Sequence, residues 1–216
     1  MKIKQLETQH TKQFCDLIVD MYANLQNLEW FTPMPYDEEI VKGMIENPRF
    51  YIVGVFENNE LCAVSSLDYK CGKLIGKINL PSDCSLENTV EIGFNIVKSN
   101  HQGKGLMKTL VKYLLEKTKK DNFKYTMSKV HRDNIASWKS LLNNNFEVCC
   151  TYTKPVKIKD FIELSSQPFF SKIGKENAQK TLSKYKNTDT EIFVDYNIYL
   201  KENQWRGLNE QQTYTW

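Results

Sequence analysis

The sequence lacks any long apolar run. Nothing in its 216 residues approaches the roughly 18 consecutive apolar side chains that a bilayer span requires. The opening MKIKQLETQHTKQF carries no apolar segment behind its lysines, so neither a membrane helix nor a secretory leader is expected. Charge of one sign is also scarce: 29 Lys plus Arg against 26 Asp plus Glu leave +3, too weak a field for a dedicated nucleic-acid binder. Cysteine is present without metal-knuckle spacing. Cys15, Cys62, Cys71 and Cys84 are scattered, Cys149 and Cys150 are adjacent, and no CxxC occurs, so the cysteines read as reduced, mostly packed thiols. There is no internal repeat and no low-complexity tract. With membrane, nucleic acid and metal scaffold set aside, the expectation is a cytoplasmic chain whose 41% hydrophobic residues bury one core plus at most one elaboration.

What is there alternates between two periods. Residues 2–6 alternate basic and apolar as a short strand, and Thr11 stands where an N-cap belongs before Phe14, Leu17, Ile18, Met21, Tyr22 and Leu25. After the loop LEWFTPMPYDEE, Asp37 opens a second helix through Ile40, Met44 and Ile45 that ends at Asn47-Pro48. FYIVGVF, the turn ENNE and LCAVSSLDY then make an antiparallel hairpin. KLIGKINL is a candidate strand, and VEIGFNIV a firm one. A helix carrying Leu106, Leu110 and Leu114 on one stripe comes next, with Lys117, Lys119 and Lys120 at its C-terminal end. After it stand a strand over residues 125–130, a helix capped by Asp133 or Asn134, and a strand over 146–152. From Pro155 the chain offers a helix through Ala178, Leu182 and Tyr185, an alternating strand over 192–200, and a polar tail.

Between the firm strand and its helix lies Gln102-Gly103-Lys104-Gly105. Helix-initiating N–H groups without intrahelical partners converge at such a place, beside the positive end of the macrodipole. Glycines let phosphate oxygens approach them, and Lys104 and Lys108 add charge. The plainer alternative is a turn with a solvated lysine. The spacing is neither GxxxxGK with Ser or Thr nor GxGxxG, and Gly72-Lys73-Leu74-Ile75-Gly76-Lys77 is one residue short of a Walker loop.

Gln102-Gly103-Lys104-Gly105-Leu106-Met107 resembles the Gln/Arg-x-x-Gly-x-Gly/Ala loop of the GNAT superfamily of acyl-CoA-dependent N-acyltransferases. VEIGFNI looks like that family's fourth strand. The segment from Val130 to Ser137 that ends in Asn145-Phe146 is similar to its V-x-x-x-N-x-x-S … G-F segment, and the likeness runs to about Thr153. The resemblance implies a mixed α/β fold with a mainly antiparallel central sheet flanked by helices. It divides the chain into a GNAT-like core over 1–154, an extension with a helix over 155–190, and a final strand and polar tail over 191–216.

The same resemblance implies site roles. CoA pyrophosphate would lie on the backbone amides of Gln102, Gly103, Lys104, Gly105, Leu106 and Met107. The pantetheine arm would pair like an added strand with backbone groups of Asn95, Ile96 and Val97. Glu91 stands where family members with a glutamate general base carry it, and burial would raise its pKa to a useful range; the alternative is a structural glutamate. Asn134 and Ser137 match positions near the cofactor arm, and helix capping is their plainer role. Three residues depart from the pattern: Met107 for the loop's last Gly/Ala, Asn145 for the Gly of Gly-Phe, and Leu141 for the usual tyrosine acid. Tyr152 is a candidate substitute for that acid.

The expected function is therefore acetyl transfer from acetyl-CoA directly to a primary amine of unidentified identity. Metal is not needed, and no Cys–His pair suggests an acetyl-enzyme. A non-catalytic acyl-CoA-binding module is the rival. The loop 28–39, rich in aromatics and acids, suits a cationic acceptor. The extension 155–190 either covers the acceptor pocket or forms a homodimer contact.

Overall fold

The computed structural model describes the chain except residues 31–33, 71–74, 76–77, 166, 170, 185–190 and 204–216. Seven strands form one sheet: β1 (Lys2–Gln5), β2 (Phe50–Glu57), β3 (Glu60–Asp68), β4 (Thr89–Val97), β5 (Tyr125–His131), β6 (Glu147–Lys157) and β7 (Glu191–Glu202). Their spatial order is β1-β2-β3-β4-β5-β7-β6, and every neighbouring pair is antiparallel except β4 and β5. The helices are α1 (Thr11–Ala23), α2 (Glu38–Glu46), α3 (Leu106–Lys120), α4 (Ile135–Leu142), α5 (Ile158–Ser165) and α6 (Lys172–Leu182). This is the mixed, mainly antiparallel α/β architecture expected from the order of elements. None of the described helices is long and apolar enough to cross a membrane.

Each face of the sheet is covered by its own helices. On one face Phe14, Ile18 and Tyr22 of α1, Val41 of α2, Phe161 of α5 and Ala178 of α6 pack with Ile52, Val64 and Ile96. On the other, Leu106, Leu110, Val111 and Leu114 of α3 and Leu141 of α4 pack with Val53, Leu67, Val90 and Ile92. The fully buried stripe on α3 contributes about 1.5–3 kcal/mol per side chain, which fixes the helix that the glycine loop feeds.

Local chemistry sets the turns. Asn58 and Asn59 both take positive φ, 50° and 65°, giving the tight two-residue hairpin turn that the twist of paired strands favours. Asp37 caps α2 by accepting from the N–H groups of Glu39 and Ile40 at 3.0 and 3.2 Å. Asn145 is left-handed at φ 60°, the role glycine plays at the end of other helices. His10, not Thr11, is the N-cap of α1; Thr11 is already helical and donates its hydroxyl to Thr8 O.

Three boundaries differ from the sequence reading. β6 continues through Pro155 to Lys157, and Pro155 pairs with Phe193; β6 is the edge strand, where a missing N–H costs no ladder bond. α5 begins directly at the end of β6, with Ile158 and Phe161 driven into the α1 core. The segment KLIGKINL forms no strand at residues 75 and 78–80, and its residues 73–74 and 76–77 lie outside the described residues. Cys71, Tyr185 and the tail from residue 204 lie outside them too.

Candidate functional site

β4 and β5 run together only from the pairs Thr89–Tyr125 to Ile92–Ser128. There they part, with the Ser128 hydroxyl donating to Ile92 O at 3.0 Å. Past this point β5 stays with β7 up to His131–Tyr196, and β4 stays with β3 up to Val97–Ala63. Alternate N–H and C=O groups of residues 93–97 therefore face a gap without a strand partner, a place an extended amide-bearing ligand can fill. The side chains here are already committed. Asn95 Oδ1 accepts from Ser65 at 2.6 Å, and Ile96 lies in the α1 core. The backbone of Asn95, Ile96 and Val97 is what the strand offers.

At the mouth of the gap β4 carries a bulge: Leu67 pairs with Ile92 and Ser65 with Asn95, so Gly93 and Phe94 oppose Ser66 alone. The buried Ser66 hydroxyl has no hydrogen-bond partner among the described residues. A Cβ on Gly93 would stand 2.8 Å from it, so glycine is the residue that permits this approach.

β4 leads into a short 3₁₀ turn, Ser99–His101, anchored on α1 where Asp20 accepts from the Ser99 N–H at 2.7 Å and its hydroxyl at 2.8 Å. Gly103 and Gly105 then take φ 77° and 74°, and Gly105 is the N-cap of α3 with no side-chain cap. No backbone N–H of residues 103–108 has a hydrogen-bond partner among the described residues. A Cβ on Gly103 or Gly105 would meet nothing within 4 Å, so the space before these amides is open. Gln102 and Lys104 are exposed, while Leu106 is buried and Met107 half-buried against α3's core. At Leu106 and Met107 only the backbone is available to a ligand, which is why Met107 does not disturb the loop.

Glu91 faces the α1 side of the sheet, paired in register with Asp68 on β3 and Met127 on β5. Asp68 is held by Arg49 through two hydrogen bonds of 2.7 and 2.5 Å. Glu91 makes no hydrogen bond or ion pair among the described residues. Burial pushes its carboxyl above the ordinary range, Asp68 adds to this, and Lys129 and Arg49 oppose it. Asn134 caps α4, its Oδ1 accepting from the Ser137 N–H at 3.3 Å. Its Nδ2 and the Ser137 hydroxyl have no partners among the described residues, so capping leaves both groups free.

Leu141 is packed into the α3 core with 1% exposed. Tyr152 pairs with Tyr196 on the edge strand β6, three strands and roughly 14 Å from β4, too far to replace an acid at the gap. Two of the four acids of loop 28–39 are committed as well, while Glu38 and Glu39 are exposed on the first turn of α2. Asp37 caps α2, and Glu29, 6% exposed, takes the Lys184 ammonium at 3.2 Å; Phe31, Thr32 and Pro33 lie outside the described residues. The sequence reading missed the Asp68, Arg49 and Lys129 charges around Glu91 and the Ser66 hydroxyl, all set by strand register.

It also saw no Cys–His pair, whereas the fold makes one of Cys62 and His101. That pair sits at the glycine-loop end of the sheet. Asp68, the partner of Glu91, lies six residues from Cys62 along β3, roughly 20 Å, and the fully buried sulfur has no access to an acyl group.

An open row of amides at a glycine-capped helix start, joined to a splayed parallel strand pair, is the geometry of a class of protein that can hold an anionic ligand with an extended arm. The sequence profile of the acetyltransferase (GNAT) family matches residues 13–142, and the chain belongs to that family. An N-acetyltransferase from Staphylococcus aureus Mu50 superposes with a TM-score of 0.61 at 14% identity, covering 94% of this chain and 98% of that one. A ribosomal-protein-alanine N-acetyltransferase from Brucella melitensis gives 0.62 at 14% identity, covering 94% and 99%. The Salmonella typhimurium protein yncA, solved with its cofactor acetyl-CoA, gives 0.61 at 13% identity, covering 95% of each chain. No curated protein matches the sequence.

Proposed function

We propose that the protein transfers an acetyl group from acetyl-CoA directly to a primary amine. The carrying observation is that the unpartnered amides of residues 103–108 follow the same strand, β4, whose open edge begins two residues after Glu91. The loop amides would hold the pyrophosphate, helped by Lys104 and Lys108. The gap edge of residues 93–97 would pair with the pantetheine amides, and Asn134 Nδ2 and the Ser137 hydroxyl would face the arm. Glu91, unpaired and with a raised pKa, takes the proton of the incoming ammonium through water. The amine nitrogen then bonds to the thioester carbonyl carbon and an N–H of β4 facing the gap receives the developing oxyanion; as the oxyanion collapses the C–S bond breaks, and the nitrogen sheds its second proton through water to the departed thiolate. Because a thiol's pKa is about 8.5, its thiolate leaves without a dedicated acid, which fits a leucine at residue 141.

Calorimetric titration of acetyl-CoA and CoA into the protein, followed by thiol release against a panel of amines, tests this reading. Binding with amine-dependent thiol release supports it, and no binding at all overturns it. Binding without release from any amine favours the rival, a non-catalytic acyl-CoA module, for which the packed Leu141 is the specific observation.

A further inference from the structure

At the far end of β2 and β3 from Glu91, three potential metal ligands meet: Glu57 at the end of β2, Cys62 on β3 and His101 in the 3₁₀ turn. One ligand atom from each lies within 4.8 Å of the others. A tetrahedral zinc ion with bonds of about 2.0–2.3 Å places its ligands roughly 3.3–3.6 Å apart, and His101 Nε2 is already 3.2 Å from Glu57 Oε2. Small side-chain movements close the rest.

Two features of the backbone and hydrogen bonding aim these groups at a common point. The β2–β3 register slips between Val55–Ala63 and Phe56–Leu61, so Cys62 is the extra residue of a β-bulge, a device that redirects a side chain. His101 Nδ1 lies 2.5 Å from Asn100 Oδ1. In the Nδ1–H tautomer that N–H donates to the carbonyl and the Nε2 lone pair faces the carboxylate. Either a proton or a metal ion can bridge Nε2 and the carboxylate, and a histidine fixed through Nδ1 by a carbonyl is the usual arrangement of a metal-bound imidazole. The mixture of thiolate, imidazole and carboxylate suits a borderline divalent ion of the zinc type, with water in the fourth place.

We infer that Glu57, Cys62 and His101 form a site for a zinc-type divalent cation that ties the turn before the glycine loop to the β2–β3 hairpin. His101 directly precedes Gln102, so the ion holds the first residue of the anion-binding loop against the sheet. On binding, the Cys62 thiol releases its proton to solvent as the S–metal bond forms. The site is separate from the acyl-transfer centre and does not depend on that reading.

Co²⁺ titration of the full-length protein, first stripped with a chelator, provides the test. A thiolate-to-cobalt charge-transfer band that saturates at one equivalent is expected. It should disappear in Cys62→Ser and persist in the Cys149→Ser/Cys150→Ser double variant. Glu57→Gln, whose side chain is nearly half exposed and whose replacement leaves the core intact, should weaken Co²⁺ binding roughly tenfold or more. Absence of the band, its survival in Cys62→Ser, or unchanged affinity in Glu57→Gln would overturn the assignment. If Cys62→Ser does not fold, the Glu57→Gln affinity decides.

Discussion

Replacing Glu91 by glutamine keeps the side chain's size and removes its charge, and the structure assigns opposite signs to the effects on stability and on turnover. The ordinary carboxyl pKa is 4.5, and burial lifts that of Glu91 above it. Between these two values the folded protein binds more protons than the unfolded chain, so stability falls as pH rises through that window. The loss is about 1.4 kcal/mol for each pH unit by which the group is raised. At neutral pH the wild type carries the desolvation penalty of a half-buried carboxylate that has no hydrogen bond among the described residues. Glutamine is cheaper to desolvate than a carboxylate, so Glu91→Gln should melt higher. Relief of each such increment corresponds to about 3–6 °C in a chain of this size. The difference should shrink as pH falls toward 4.5, where both side chains are neutral. Turnover should move the other way: loss of the base lowers kcat/KM by ~10²–10⁴-fold and removes the acid limb of the pH–rate profile. The affinity for CoA should stay unchanged. Thermal melts and thiol-release rates across the same pH series measure both. An unchanged pH–rate profile, or a variant that melts lower at neutral pH, would refute the reasoning.

Gly103→Ala or Gly105→Ala forces a methyl-bearing residue into the left-handed region, costing ~1–2 kcal/mol of stability. It should also lower CoA affinity roughly tenfold or more by disturbing charge-assisted N–H contacts, as read by calorimetry. Asn134→Ala removes the α4 cap at a cost of about 1 kcal/mol. If its Nδ2 serves the cofactor arm, CoA affinity falls in the same variant while an Asn134→Asp protein, which keeps the cap, loses affinity but not stability. Lys184→Ala leaves the buried Glu29 without its ammonium; half-exposure of Lys184 limits the cost to about 1 kcal/mol. Its kinetic signature should be a raised KM for the amine with an unaltered KM for acetyl-CoA.

Much of the fold was legible because local chemistry and global packing agree. ENNE encodes a two-residue turn, Asp37 a cap, Asn145 a left-handed helix end, and the leucine stripe of α3 its buried face. The glycine loop was legible for the same reason: two residues without Cβ between a strand and a helix have few other uses. Whatever depends on register was harder to read. A two-residue turn at Asn58-Asn59 sets Arg49 against Asp68, yet the bulge at Cys62 shifts the ladder by one, and the bulge at Gly93 shifts it again on β4. Neither bulge leaves a periodicity signal, so the charges around Glu91 and the meeting of Cys62 with His101 emerge only in three dimensions. α5 escaped notice because it begins at the residue after β6, with no cap or loop to announce it.

The family profile ends at residue 142, yet the loop between α1 and α2 is shaped largely by residues C-terminal to that point. Ser171 donates to Ala23 O at 2.5 Å, Asn177 to Leu25 O at 3.3 Å, and Thr181 to Asn27 Oδ1 at 3.3 Å. Lys184 pairs with Glu29, and the Tyr196 hydroxyl donates to Glu29 O at 3.3 Å. One face of α6 and one residue of β7 thus fix the backbone of the loop that, in the proposed reading, borders the acceptor. Of the three backbone carbonyls involved, that of Ala23 is the last of α1, where helical carbonyls have no intrahelical donor, and those of Leu25 and Glu29 lie beyond it, so the extension supplies bonds the loop does not make for itself. In the proposed reading, the shared core grips acetyl-CoA and residues 155–190 bear on the choice of amine. On this division of labour, substitutions along α6 facing α1 change which amine is accepted and leave the affinity for CoA where it was.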